Sequence, residues 1–237
     1  MQAIMEFKVV HIEETDSTNR WLKTYGDESN LCVVADYQTA GKGCGSNSWE
    51  SERGKNLTFS ILIHPTDIPA SEQFRITEMV SVALCETIGM EASIKWPNDI
   101  YVGERKICGI LIENRLQGSE MKDSIIGIGL NVNQQTFVSD APNPVSIKQL
   151  TGCDTNREIL LNDFLHTFNE VSTRKNNAST YRKRLFRLGQ KAAFADKTGR
   201  FEGTIVDVEP DGHLLIRDEA GLVRRYAFKE VQFLINK

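Results

Sequence analysis

The chain has 237 residues, 40% of them hydrophobic and 25% charged, with a formal net charge of −4. That is enough apolar content for one large domain, or one domain with a small satellite, without extra stapling. The acidic balance supplies no global field for DNA or an anionic membrane, and no window approaches the ~20 apolar residues of a membrane span.

The five cysteines (Cys32, Cys44, Cys85, Cys108 and Cys153) are odd in number and far apart, with no CxxC pair and no histidine at metal-ligand spacing. They read as reduced thiols, and with no basic and apolar leader at the amino terminus the expected location is cytoplasmic. FKVVHIEE is a first strand, and Asp16, Ser17, Thr18 and Asn19 then offer helix N-caps before RWLKTYG. LCVVADYQ and LTFSILIH are the next strands, separated by TAGKGCGSNSWESERGKN. Pro69 suits a first helical position, and Ile76, Met79, Val80, Ala83, Leu84 and Ile88 recur at helical spacing. Three strands follow in ASIKW, KICGILIEN and SIIGIGLNVN, the first two separated by a turn on Pro97, Asn98 and Asp99. Ile159, Leu160, Phe164, Phe168 and Val171 mark a second helix, and YRKRLFRLG a third that Gly189 closes. Beyond Leu188 the period changes to alternation in KAAFAD, RFEGTIVDVE, HLLIRDE and LVRRYAFKEV, with turns between them. Four short strands in about fifty residues predict a small antiparallel barrel, and hence two domains, 1–188 and 189–237.

Four stretches could carry chemistry. Gly41, Gly43 and Gly45 alternate in a loop whose amides could wrap an anion, although a glycine-hinged hairpin accounts for the spacing better. It is neither a P-loop nor a dinucleotide fingerprint, since GxxxxGK[ST] is absent and the next element is a strand. Asn98 and Asp99 at the turn and Lys106 at the head of the next strand, with Gly109 three residues on, could gather at one end of a sheet. There the lysine could neutralise two anions that must react, or simply be solvated. Gly127 and Gly129 leave one strand face open to a flat ligand, or to close sheet packing. Ser17, Thr18 and Asn19 are a plain helix cap or a polar pocket for a neutral head group. The four histidines form no cluster.

In combination these stretches are specific. TDSTNRW, ADYQTAGKGCGSNSW, IKWPNDIYVGERKICGILIEN and IGIGLNVN, in that order and followed by alternating strands, resemble the biotin protein ligase family along nearly the whole chain. The resemblance implies an α/β (α+β) fold. Its parts would be a catalytic domain related to class II aminoacyl-tRNA synthetases and lipoate ligases, with a mixed sheet and flanking helices, and then a C-terminal SH3-like barrel. It also implies the form lacking an N-terminal DNA-binding domain, because the first motif begins at Thr15.

The implied activity is ATP-dependent activation of biotin to biotinyl-5′-AMP, with Mg2+ accompanying ATP, and transfer to a lysine of a biotin carboxyl carrier protein. By the same resemblance Ser17, Thr18, Asn19 and Gln38 hold biotin, with Gly109 nearby. Lys42, Gly43 and Cys44 close over biotin and adenylate, and Trp49 lies against the nucleotide. Lys106 bridges the biotin carboxylate and α-phosphate, Asn131 serves the nucleotide and its metal, and Asn98 and Asp99 organise the reacting end. No direct protein cluster for the metal is implied. The loop departs from the family at Lys42, where arginine is usual, and at Cys44 and Ser46. Cys44, two residues from Lys42, is expected to be accessible and somewhat acidified. The alternatives are a lipoate or octanoate ligase and a non-catalytic biotin sensor, and the sequence does not choose between a monomer and a homodimer.

Overall fold

The first two predicted strands form β1 (Lys8–Thr15) and β2 (Leu31–Gln38), which pair in parallel, Lys8 opposite Leu31 and Thr15 opposite Gln38. A parallel pair needs a crossover, and α1 (Thr18–Thr24) provides it. In this computed structural model, which describes residues 5–25, 30–45, 47–65, 67–138 and 143–235, a seven-stranded mixed sheet is the main body. Its other strands are β3 (Leu57–Ile63), β4 (Ser93–Lys95), β5 (Asp99–Val102), β6 (Arg105–Gln117) and β7 (Glu120–Leu130). Their spatial order is β1-β2-β3-β7-β6-β5-β4. Every residue of β3 is buried, as its near-continuous apolar run requires of a central strand.

Alternation along these strands sorts the two faces. Phe59 and Ile61 of β3 with Ile126 and Ile128 of β7 meet α2 (Phe74–Ile88) and α4 (Arg157–Ser172) in the main core. Leu62 and Ile125 point the other way, onto Leu22 of α1. Between α2 and α4 the Arg174 guanidinium donates to both oxygens of Glu86 at 2.7 and 2.9 Å.

Several boundaries differ from expectation. Pro69 precedes a 3-10 turn at Ala70–Glu72 rather than opening the long helix. DIYV, read as part of a turn, is the strand β5, pairing with both β4 and β6. A short α3 (Ile147–Thr151) was not anticipated; Ser146 and Gln149 close it with a reciprocal capping box. The third predicted helix is displaced to α5 (Asn177–Lys183).

Beyond Leu188 there are five strands rather than four: β8 (Lys191–Asp196), β9 (Gly199–Val208), β10 (Leu214–Asp218), β11 (Val223–Tyr226) and β12 (Val231–Phe233). They form an antiparallel sheet in the order β11-β10-β9-β8-β12. Phe194, Ile216 and Phe233 from this sheet belong to the same continuous core as α2 and α4. Trp96 joins the two sheets. Its indole Nε1 donates to the carbonyl of Gly212 at 2.9 Å, and the Tyr181 hydroxyl donates to the carbonyl of Pro97 at 2.6 Å. A strand that stops at Trp-Pro thereby becomes the seam between the sheets. Among the described residues no helix is long and apolar enough to cross a membrane.

Candidate active site

The register of the central strands sets out a floor. Ser60 of β3 lies opposite Gly127 of β7, which lies opposite Leu111 of β6; one row along, Thr58, Gly129 and Gly109 align in the same way. This floor is on the α1 face, and above it opens a cleft of about 1130 Å3 walled by the glycine loop, the Trp96–Asp99 turn and the second sheet. All the residues given roles from the sequence line it except Asn131.

One end is a polar cradle. The Thr18 backbone N–H and hydroxyl both donate to Gln38 Oε1, at 2.7 and 3.0 Å, and the Ser60 hydroxyl lies 2.7 Å from Thr18 Oγ1 and 2.6 Å from Asn19 Oδ1. Asn19 also donates to Glu113 at 2.8 Å, and Glu113 accepts from Lys23 at 2.6 Å. Burial pushes Glu113 up, but those hydrogen bonds outweigh it and hold the carboxyl below its ordinary range. Ser17, Thr18 and Asn19 are all buried, yet Ser17 makes no side-chain cap to α1. All three line the cleft.

The other end is ionic. Lys106 Nζ lies 2.6 Å from Asp99 Oδ1, and Lys95 Nζ lies 3.9 Å from Asp99 Oδ2. Burial lowers the Lys95 pKa, with Asp99 opposing and Lys106 adding to the shift. The Asn98 amide donates to the Ile110 carbonyl at 2.9 Å and pins the turn to β6. Two cations around one carboxylate leave excess positive charge beside Gly109, whose missing side chain leaves room for Lys106 Nζ and the Trp49 ring.

The glycine loop is a small hairpin, with Lys42 bridged to Ser48 and Gly43 N–H donating to Asn47 O at 2.8 Å. It carries Trp49 onto the floor, where a Cβ at Gly129 would overlap the indole and one at Gly127 would overlap the Asn19 amide. The open strand face is thus filled from within the chain. Ser46 lies outside the described residues. Cys44 is part-buried, and burial raises its pKa despite Lys229 and Lys106, with Asp99 adding to the rise, so the expected acidification is reversed. Lys42 is not among the charges acting on it.

Asn131 does not line the cleft, although its backbone N–H donates to the carbonyl of Ile107, next to Lys106, at 2.9 Å. It is buried, and its amide donates to the Val145 carbonyl at 3.1 Å, tying β7 to the segment before α3. Sequence reasoning missed Ser60, Lys95 and Thr58. The signal for each was a polar residue inside an otherwise apolar strand run. Thr58 Oγ1, Trp49 Nε1 and Tyr101 Oη all line the cleft, buried and without a hydrogen-bond partner among the described residues. Buried polar groups normally have partners, so three orphans around one cleft mark it as built for a polar ligand.

Comparison with known proteins agrees. The profile of the Biotin/lipoate A/B protein ligase family matches residues 11–131. The bifunctional ligase/repressor BirA of Bacillus spizizenii is 30% identical over 231 residues, covering 91% of this chain and 70% of the relative. A biotin--[acetyl-CoA-carboxylase] ligase of Paracoccus denitrificans is 25% identical, covering 89% of this chain and 94% of the relative. Among solved structures, the biotin protein ligase of Aquifex aeolicus in complex with biotin and ATP superposes with a TM-score of 0.77 at 27% identity, over 95% of this chain and 99% of that one. The chain therefore belongs to the biotin/lipoate A/B protein ligase family, on its biotin protein ligase side.

Proposed function

We propose that the protein activates biotin with ATP and passes it to a lysine of a biotin carboxyl carrier protein, such as the acetyl-CoA carboxylase subunit, in the cytoplasm. In the first step a biotin carboxylate oxygen attacks the α-phosphorus, a P–O bond forms, the α–β anhydride breaks and pyrophosphate leaves. In the second, the carrier lysine's neutral amine attacks the acyl carbon, a C–N bond forms, AMP departs with the electron pair and the amine gives up a proton.

The observation that carries this reading is the Lys106–Asp99–Lys95 cluster facing a polar, glycine-floored cradle. Two anions that must react repel each other, and a cation already in place cancels charge as it builds on the phosphorus. Lys106 bridges carboxylate and α-phosphate, while Asn98 and Asp99 hold the turn and the lysine. The hydroxyls and amides of Ser17, Thr18, Asn19 and Gln38 bind the neutral ureido ring. Lys42, Gly43 and Cys44 cover the adenylate and keep water from the mixed anhydride. Trp49 stacks against the ligand. Asn131 acts through packing beneath the nucleotide.

Among the described residues the cleft holds no cluster of carboxylates suited to a metal. The one group with that spacing, Glu209, Asp211 and His213, lies outside it, and Arg225 bonds to all three. Mg2+ would arrive on phosphate oxygens. Residues 189–237 form an SH3-like barrel that closes the cleft of domain 1–188.

The test is biotin-dependent exchange of labelled pyrophosphate into ATP, with lipoate as the comparison. Exchange with biotin alone supports the proposal; exchange with lipoate alone, or none with either, overturns it.

A further inference from the structure

Lys229 lies in the turn between β11 and β12, where the Glu230 N–H donates to the Ala227 carbonyl at 3.1 Å. Its backbone is left-handed, with φ at 70°, a conformation that costs a side-chain-bearing residue about 1 kcal/mol relative to glycine. A lysine here gives up stability that glycine would keep.

The ammonium reaches across the seam between the sheets to the glycine loop. It lies so close to Gly45, itself left-handed at φ 71°, that a Cβ there would overlap Nζ. Beside Lys229 stands the ring of Phe228, with its centroid 5.8 Å from Nζ. Among the described residues Lys229 has no hydrogen bond or ion pair, whereas Lys95 and Lys106, which reach the cleft from the first sheet, share Asp99. Its charge is felt at Cys44, where it opposes the effect of burial.

Among the described residues the wall of the cleft contains Lys42, Lys95, Lys106, Arg200 and Lys229 against the carboxylates of Glu50 and Asp99. That excess of three positive charges exceeds the two negative charges of one carboxylate and one phosphodiester, and so favours a ligand with further phosphate charge. Lys106 and Lys95 are committed to Asp99 on the first sheet, whereas Lys229 approaches from the opposite side, over the loop.

We infer that Lys229 is a phosphate-binding residue that grips the β,γ-phosphates of ATP, the part that leaves as pyrophosphate, and links the second sheet to the glycine loop. This rests on the adenylation chemistry proposed above. It distinguishes the two half-reactions, because the grip is used while pyrophosphate is present and released with it.

The experiment compares the full-length protein with Lys229→Gly, which keeps the left-handed turn without strain, and Lys229→Arg, which keeps the charge. Lys229→Gly should raise the KM and Kd for MgATP about tenfold to a hundredfold, the scale of one charge-assisted contact, and leave biotin affinity unchanged. Transfer from preformed biotinyl-5′-AMP to a carrier should stay within twofold of wild type, and Lys229→Arg should recover most of the ATP affinity. An unchanged Kd for MgATP in Lys229→Gly, or an equal loss in the transfer step, overturns the inference. Because Kd is measured by titration calorimetry, it decides the matter even if the wild-type protein shows no exchange, a result that would refute the proposed activity instead.

Discussion

Replacing Lys106 by alanine separates stability from catalysis. Its ammonium lies 2.6 Å from Asp99, and the two side chains are 20% and 26% exposed. Removing it leaves the carboxylate facing Lys95 at 3.9 Å, so Asp99 is not stranded as an unpaired buried charge. The folding cost should be about 1 kcal/mol, and in a chain of this length that lowers Tm by roughly 2–4 °C. The effect on reaction is of another size. A lost cation contact to developing phosphoryl charge costs about 3–4 kcal/mol, or about 10² to 10³ in kcat. The assay is biotin-dependent pyrophosphate exchange at saturating ATP, run beside a thermal melt. A variant that melts near wild type and exchanges within threefold of it would remove Lys106 from the reaction and sink the charge-cancellation argument.

Other perturbations test separate parts of the structure. Glu78, buried in α2, has its pKa pushed by burial from 4.5 to about 7, with Arg75 opposing, so between those values the folded chain holds a proton that the unfolded chain has released. Its contribution is fully present below pH 4.5 and is lost as pH rises through 7, a swing of about 3 kcal/mol. Glu78→Gln should flatten that part of the curve of chemical denaturation against pH and raise stability at pH 8; an unchanged slope would refute the assignment. Gly129→Ala puts a methyl where the Trp49 indole lies, and should weaken biotin binding by about tenfold or more while circular dichroism stays native; unaltered affinity would mean the indole's seat is irrelevant to the ligand. In brief iodoacetamide labelling followed by peptide mass spectrometry, exposed Cys153 should react first, part-buried Cys44 next, and buried Cys32, Cys85 and Cys108 last. Biotin with MgATP should protect Cys44 alone, and equal Cys44 labelling with and without ligands would deny the loop its role as a lid.

Local pattern made most of the elements readable, because apolar period distinguishes a long strand from a long helix. It failed where an element is short or begins with a turn residue. DIYV opens on Asp99 just after Pro97 and Asn98, and so resembled the turn it extends. The break between β11 and β12 went unseen because Lys229, not glycine, occupies its left-handed position. The α3 helix could have been read from the capping spacing of Ser146 and Gln149. At the site, the motif residues other than Asn131 line one cleft, but two facts depend on long-range packing that no local window contains. Asn131 turned inward to Val145, and Trp49 filled the face left open by Gly129. The parallel pairing of β1 with β2 and the continuity of the core across Leu188 are likewise products of distant contacts.

The carboxylate held between Lys95 and Lys106 also bears on selectivity among anions. Bare lysines in a half-buried cleft would collect chloride or inorganic phosphate from solution, and a substrate would then have to displace them. With Asp99 already in contact, a single small anion gains little, because it must loosen an existing ion pair for one new contact. A ligand that brings two negative groups to the same spot recovers both interactions at once. On the proposed reaction the internal pair would act as a threshold, disfavouring simple salts and favouring a carboxylate and a phosphate bound side by side.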